Sequence, residues 1–283
     1  LDRSSAASDV YKDRPEALDS TSSLLACNPE YYSAWNYRRV VLLRMFEKED
    51  VEQQIRLLEE DLTFLQQSMR THPKVYWLWN HRRWCLQKLP SKNENHEQSK
   101  WRRELALVDM MLEMDQETVR WHVNFIRLIQ LVMGWNYRRW VVEELAKAMS
   151  KVDGIPPFPA SLSSELDPET RTMHLALAYQ ELKYTLAKIE SDFSNFSAWH
   201  SRSKLLPRIW DGEDLIHVHV RSSAYQVRDI QFADAPEFEL LQQAMFTDPS
   251  DQSIWIYHRW LVAQGLYIFT HNKIRHCSSS LTY

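Results

Sequence analysis

Trp35-Asn36-Tyr37-Arg38-Arg39 recurs as Trp79-Asn80-His81-Arg82-Arg83 and Trp135-Asn136-Tyr137-Arg138-Arg139, and more loosely as Trp199-His200-Ser201-Arg202 and Trp255-Ile256-Tyr257-His258-Arg259. The tryptophans are 44, 56, 64 and 56 residues apart. Seven residues before four of them stands a turn or capping residue: Asn28, His72, Asp192 and Asp248, three of which precede a proline. Eleven residues earlier again come Asp61, Glu104, Glu181 and Glu237, with Asp115 taken as the anchor of the third repeat; the first repeat has Ala17 there. Apolar residues at Val51, Ile55, Leu58, Leu62, Leu65 and Met69 follow the helical period. The unit therefore reads as a helical hairpin. Its first helix is expected to begin near the acidic residue, where the helix dipole favours negative charge, and to run roughly three turns. The following proline ends it. The second helix is expected to start two residues before the Trp, with Ser33, Ser197 and Ser253 as N-caps. Five such hairpins predict an all-α fold, a right-handed α–α superhelix.

The third repeat breaks the spacing. Asp115 lies 20 residues before Trp135, where the other repeats have 7, so 13 residues are extra; without them the 56-residue spacing becomes 43. The extra stretch falls within 116–133, is apolar, and is either an unspliced segment or a genuine helix extension. Two long loops are expected at 149–172 and 206–235, both containing Pro and Gly. The repeat domain is expected over 1–265, with an irregular tail at 266–283.

Composition narrows the rest. Of 283 residues, 44% are hydrophobic and 25% charged, the balance of a folded chain. Only four glycines are present, none forming a GxG pair, which removes the Gly-rich phosphate loops and argues against a turn-rich sandwich or barrel. A net charge of −4 gives no general case for nucleic acid. Cys27, Cys85 and Cys277 form no framework, which fits a reducing, cytoplasmic setting. No apolar run reaches the ~20 residues of a membrane span. The opening Leu1-Asp2-Arg3-Ser4 has neither an initiator Met nor a signal-type segment, so the chain is expected to be a fragment that lacks its N-terminus.

The Trp-x-x-Arg hairpins resemble the protein prenyltransferase α-subunit repeat family. The resemblance is carried by Asn28-Pro-Glu-Tyr-Tyr-Ser-Ala-Trp-Asn-Tyr-Arg-Arg39, by Asn195-Phe-Ser-Ala-Trp-His-Ser-Arg-Ser-Lys-Leu-Leu-Pro207, and by Phe246-Thr-Asp-Pro-Ser-Asp-Gln-Ser-Ile-Trp-Ile-Tyr-His-Arg-Trp260. The last two point to the geranylgeranyl branch that serves Rab proteins. That resemblance implies a heterodimer with a prenyltransferase β subunit, which holds zinc and most of the isoprenoid pocket. It implies transfer of geranylgeranyl from its diphosphate to C-terminal cysteines of a Rab GTPase presented by an escort protein. It also assigns isoprenoid diphosphate binding to Lys74 and Tyr76, within Pro73-Lys-Val-Tyr-Trp-Leu-Trp79. An ammonium and a phenol O–H suit a leaving group that gains charge as its C–O bond breaks.

The repeat residues themselves have a structural reading. Trp35, Trp79, Trp135, Trp199 and Trp255 are expected as packing anchors whose indole N–H finds a local acceptor. Arg38, Arg82, Arg138 and Arg202 are expected to brace neighbouring loops through carboxylates such as Glu60 or Asp61; in the fifth repeat His258 takes that place and Arg259 follows. His81, His200 and His258 fall on different hairpins and His217 and His219 lack a third ligand nearby, so no metal site is expected in this chain. No nucleophile–base arrangement is visible, and the isolated chain is expected to be inactive. Two other readings stay open: the α subunit shared by farnesyltransferase and type I geranylgeranyltransferase, and a non-catalytic helical-repeat scaffold. The scaffold reading needs a period of ~34 residues, as in tetratricopeptide arrays.

Overall fold

The computed structural model describes residues 15–91, 93–118, 124–150, 154–163, 166–219 and 235–264. Every regular element among them is helical, so the fold class is all-α, built from helical hairpins. Two units divide the chain, Leu1–Val141 and Val142–Tyr283. The first holds α1 (Pro15–Cys27) and α2 (Tyr32–Phe46), then α3 (Val51–Thr71) and α4 (Tyr76–Lys88), then α5 (Glu94–Thr118) and the start of α6 (Asn124–Met149). The second holds the end of α6, a short 3-10 turn at Ala160–Ser163, α7 (Pro168–Ser191) with α8 (Phe196–His219), and α9 (Ala235–Thr247) with α10 (252–264). No helix among the described residues is long and apolar enough to cross a membrane.

Four hairpins, the first, second, fourth and fifth, carry the same internal lock. The indole N–H of Trp35, Trp79, Trp199 and Trp255 donates to the carbonyl six residues earlier (Pro29, Pro73, Phe193 and Pro249), at 2.8 Å in all four. The bond ties the first turn of the second helix to the loop before it, and fixes where that helix starts.

A second device joins one hairpin to the next, and it repeats with little change. In the first unit the Trp35 ring lies 4.8 Å from the ring of His81 on the following hairpin. His81 Nε2 meets Asp61 Oδ2 at 2.8 Å, and Asp61 Oδ1 accepts from Arg38 Nε at 2.7 Å. Arg38 Nη1 then donates back to the Leu18 carbonyl of its own hairpin at 2.8 Å. One hairpin on, Trp79 packs on Tyr137 at 5.0 Å and the Tyr137 hydroxyl donates to Glu104 at 2.8 Å. Arg82 grips both Glu104 oxygens at 2.6 and 2.7 Å and reaches the Leu62 carbonyl at 3.0 Å. In the second unit Trp199, Tyr257, Glu237, Arg202 and the Leu182 carbonyl repeat the arrangement. Arg138 pairs with Asp109 at 2.7 Å.

These contacts correct several expectations. Asp61 and Glu104 do not open their helices: α3 and α5 are 21 and 25 residues long, and the acids sit in their interiors, buried. Glu181 likewise lies inside the 24-residue α7. The arginines therefore brace neighbouring helices rather than loops. The buried carboxylates of Asp61 and Glu104 are tolerated because both are paired and hydrogen-bonded. Ser33, Ser197 and Ser253 are not N-caps, since the helices start one residue earlier than expected, at Tyr32, Phe196 and 252. The Asn195 side chain accepts from Ala198 N instead, at 3.1 Å, and Asp251 accepts from Ser253 N at 2.7 Å. The loop expected at 149–172 contains a 3-10 turn and ends at Pro168, where Asp167 caps α7. The loop expected at 206–235 is helical through His219, with Pro207 inside α8. Residues 220–234 and the tail 266–283 lie outside the described residues, as do 119–123 within the extra stretch, on either side of which α5 and α6 run to Thr118 and from Asn124.

Candidate functional site

The turn His72-Pro73-Lys74-Val75 sets up the start of α4. Val75 is buried and its N–H donates to the His72 carbonyl at 3.2 Å. The Trp79 indole holds the Pro73 carbonyl on the other side. Lys74 is pinned between these two anchors with its own side chain exposed. Among the described residues it has no ion-pair partner, which leaves its ammonium available to an anion. No side chain caps α4 at Val75, so the first-turn N–H groups add their partial positive charge beside Lys74.

Tyr76 begins the helix and is 53% exposed. Its ring meets Trp77 edge-on at 5.1 Å, and Trp77 in turn packs on Tyr32 of α2 at 4.5 Å. The phenol is thus braced through its ring while its hydroxyl keeps no intramolecular partner among the described residues. Lys74 lies in the turn before α4 and Tyr76 is its first residue, and both side chains are exposed. Each can meet an anion from solvent, Lys74 by charge and Tyr76 by an O–H donor.

Further along the same helix the polar groups are committed. Arg39 of α2 donates to Asn80 Oδ1 at 2.6 Å and to His81 Nδ1 at 3.1 Å, and its guanidinium lies 5.7 Å from the Trp84 ring. With Nδ1 accepting, His81 must carry its proton on Nε2, which it donates to Asp61. Burial pushes the His81 pKa down, against the pull of Asp61. Burial alone would raise the Asp61 carboxyl, but hydrogen bonds and charge from His81 and Arg38 outweigh it and hold the pKa below the usual range.

Asp61, His81 and Cys85 place one possible metal-ligand atom each within 4.8 Å of one another, all three residues buried. Those atoms are already committed. Asp61 is shared by Arg38 and His81, the second His81 nitrogen is held by Arg39, and burial pushes the Cys85 thiol well above its ordinary pKa. Two guanidiniums beside the cluster oppose a dication electrostatically. The cluster is the joint between the first two hairpins.

The remaining residues expected at the site are placed as follows. Trp35, Trp79, Trp135 and Trp199 are buried between helices, whereas Trp255 is half-exposed. Arg38, Arg82, Arg138 and Arg202 are buried in ion pairs. Arg259 is exposed, and His258 in its neighbour's place lies 6.2 Å from the Trp255 ring. Sequence reasoning missed the arginines one place later, Arg39 and Arg83, which line the same helix faces as Tyr32 and Tyr76. The seven-residue spacing from Tyr76 to Arg83, two helical turns, was the available signal.

The family described as protein prenyltransferase alpha subunit repeat matches residues 14–45, 58–89, 178–209 and 235–265, the first, second, fourth and fifth hairpins. The chain is 34% identical over 248 residues to the protein named geranylgeranyl transferase type-2 subunit alpha in Sus scrofa, covering 88% of this chain and 34% of that protein. It is 35% identical over 246 residues to the protein of the same name in Schizosaccharomyces pombe, 87% of this chain and 57% of that one. To the Candida albicans protein it is 33% identical over 279 residues, 92% and 64% respectively. The chain thus spans between a third and two thirds of these relatives. Four matched repeats, on hairpins that share one lock and one joint, place it: the chain belongs to the protein prenyltransferase α-subunit repeat family.

Proposed function

We propose that this chain is the α subunit of a type II geranylgeranyltransferase, moving geranylgeranyl from its diphosphate to C-terminal cysteines of Rab GTPases held by an escort protein. The observation that carries the reading is identity of 33–35% to proteins of that name across nearly the whole chain. The exposed Lys74 and Tyr76 at the uncapped start of α4 support it, because the reaction needs cationic and donor groups where diphosphate departs. In the transfer the acceptor thiol gives up its proton, its sulfur bonds to C1 of the lipid, and the C1–oxygen pair leaves with diphosphate. Lys74 and Tyr76 stabilise that developing charge. Zinc, which this reading assigns to the partner β subunit, lowers the pKa of the acceptor thiol.

The chain alone is expected to be inert, since no nucleophile, base or oxyanion cradle is assembled among the described residues. The test is co-expression with a type II β subunit, followed by single-turnover transfer to a Rab and its escort protein. The wild-type heterodimer should transfer lipid, and Lys74→Ala should slow it by roughly ten- to a hundredfold, the weight of one charge-assisted hydrogen bond. An unaltered rate in an intact Lys74→Ala heterodimer overturns the assignment of Lys74. No transfer by any soluble heterodimer overturns the reading itself.

A further inference from the structure

We propose that Arg83 is a second cation of the diphosphate site, reaching the headgroup from a cavity that it shares with Tyr76; the proposal rests on the reading of Lys74 and Tyr76 above. The cavity, about 220 Å³, lies between α4 and α6. Trp79 and Trp140 form its apolar walls, and Tyr76, Asn80, Arg83 and Asn136 bring polar groups to it. Its size decides what it can hold. It is smaller than the ~300–1,000 Å³ typical of pockets for whole organic ligands, so it suits a polar headgroup rather than a twenty-carbon lipid.

Helix geometry directs Arg83 toward that headgroup. Tyr76, Asn80 and Arg83 are spaced by four and three residues and form one stripe of α4. Side chains on a helix lean toward its N-terminus, so Arg83 leans over Asn80 toward the end that carries Tyr76 and Lys74. Its guanidinium carbon lies 4.6 Å from the Trp140 ring centroid, and among the described residues no hydrogen bond or ion pair takes up its N–H groups. Among the described residues no carboxylate pairs with it. The adjacent Arg82 shows the alternative: its edge is consumed by Glu104 and the Leu62 carbonyl.

The charge demanded by the ligand agrees. A diphosphate ester is multiply charged, and it gains further charge as the C1–oxygen bond breaks, whereas Lys74 supplies one ammonium. A planar guanidinium binds two phosphate oxygens at once and so both orients the group and holds it as charge develops. The bonds made and broken are those of the transfer itself, with Arg83 exchanging no proton.

The experiment uses the heterodimer with its β subunit and compares Arg83→Ala, Arg83→Lys and Lys74→Ala. For each, binding of geranylgeranyl diphosphate and of uncharged geranylgeraniol is measured, with the single-turnover rate to a Rab–escort complex. Arg83 is exposed and outside the buried joints, so these variants should assemble normally, which size-exclusion chromatography checks. Arg83→Ala should lose roughly tenfold or more in diphosphate affinity or transfer rate with geranylgeraniol binding unmoved, and Arg83→Lys should recover part of the loss. If Arg83→Ala keeps both values within twofold while Lys74→Ala loses them, the proposal is wrong and the site reading stands. A rise only in the KM for the Rab–escort complex also overturns it, by assigning the cavity to the protein substrate. If neither alanine variant of an active heterodimer changes diphosphate binding or rate, both the proposal and the site reading fail.

Discussion

Trp199 and Trp255 occupy the same place in the fourth and fifth hairpins, and both donate their indole N–H to the carbonyl six residues back at 2.8 Å. Yet Trp199 is 1% exposed and Trp255 is 48% exposed. Trp199 is covered by Tyr257 of the next hairpin, whose hydroxyl meets the Glu237 carboxylate held by Arg202. Trp255 instead lines an open apolar groove with Phe238, Leu241 and Phe246, and no following hairpin lies among the described residues. The difference separates two contributions that look alike in the sequence. The indole hydrogen bond is made within a hairpin and needs nothing else; burial of the indole is supplied by the neighbour. Solenoid stability is therefore held in the joints between hairpins more than in the hairpins themselves.

The largest expected effect follows from that contrast. Trp199→Ala should destabilise the second unit by about 3–5 kcal/mol, the cost of emptying a fully buried aromatic site. Trp255→Ala should cost far less, on the order of 1 kcal/mol, because little buried area and one hydrogen bond are lost. Urea unfolding followed by hydrogen exchange of α7 through α10 measures both. Equal losses in the two variants would show that the indole lock, and not the joint, carries the stability.

A smaller effect sharpens the comparison between joints. Where two joints use Tyr137 and Tyr257, the joint of the first two hairpins uses His81. Burial pushes both tyrosines well above their ordinary pKa, so they stay neutral donors throughout the usable range. His81 behaves differently, because its pKa is lowered from 6.5 in the folded state. Above 6.5 the unfolded and folded forms are both neutral and the contribution is complete. As pH falls below 6.5 the unfolded state takes up the proton first, and stability declines toward the folded pKa by at most about 1.4 kcal/mol per pH unit. Protonation would also place an N–H where Arg39 already donates. Amide exchange in α2 and α4, corrected for intrinsic rates, should therefore quicken between pH 7 and pH 5 more than in α8 and α10. His81→Gln, which can still donate to Asp61 and accept from Arg39, should remove the slope. A slope that persists in that variant would place the titration elsewhere.

Much of this was readable from the chain, and the reasons are local. The Trp-to-loop lock depends on residues six apart, so its spacing survives as a repeat in the sequence. Asp61, Glu104, Glu181 and Glu237 were visible at a fixed offset, but their role was not. The phase of the apolar stripe in α3 runs Leu58, Asp61, Leu65, Met69, which places the acid inside; the arginine of the preceding hairpin and His81 of its own make that position tolerable. Helix lengths were underestimated because the acids at 61 and 181 were read as helix starts, whereas α3 and α7 begin about three to four turns earlier, at the caps Asp50 and Asp167. Lys74 and Tyr76 came from resemblance, since an exposed lysine in a turn carries no distinguishing pattern. Arg83 escaped notice because its meaning depends on Trp140, a residue of the hairpin whose spacing is disrupted.

The identity of the partner tests the account most directly. Tagged chain should be purified from cells that express it, and the bound prenyltransferase β subunit identified by mass spectrometry. The type II geranylgeranyltransferase β subunit, recovered in equimolar amount, is the predicted result. A farnesyltransferase or type I β subunit in its place, or peptide ligands with no β subunit at all, would contradict it.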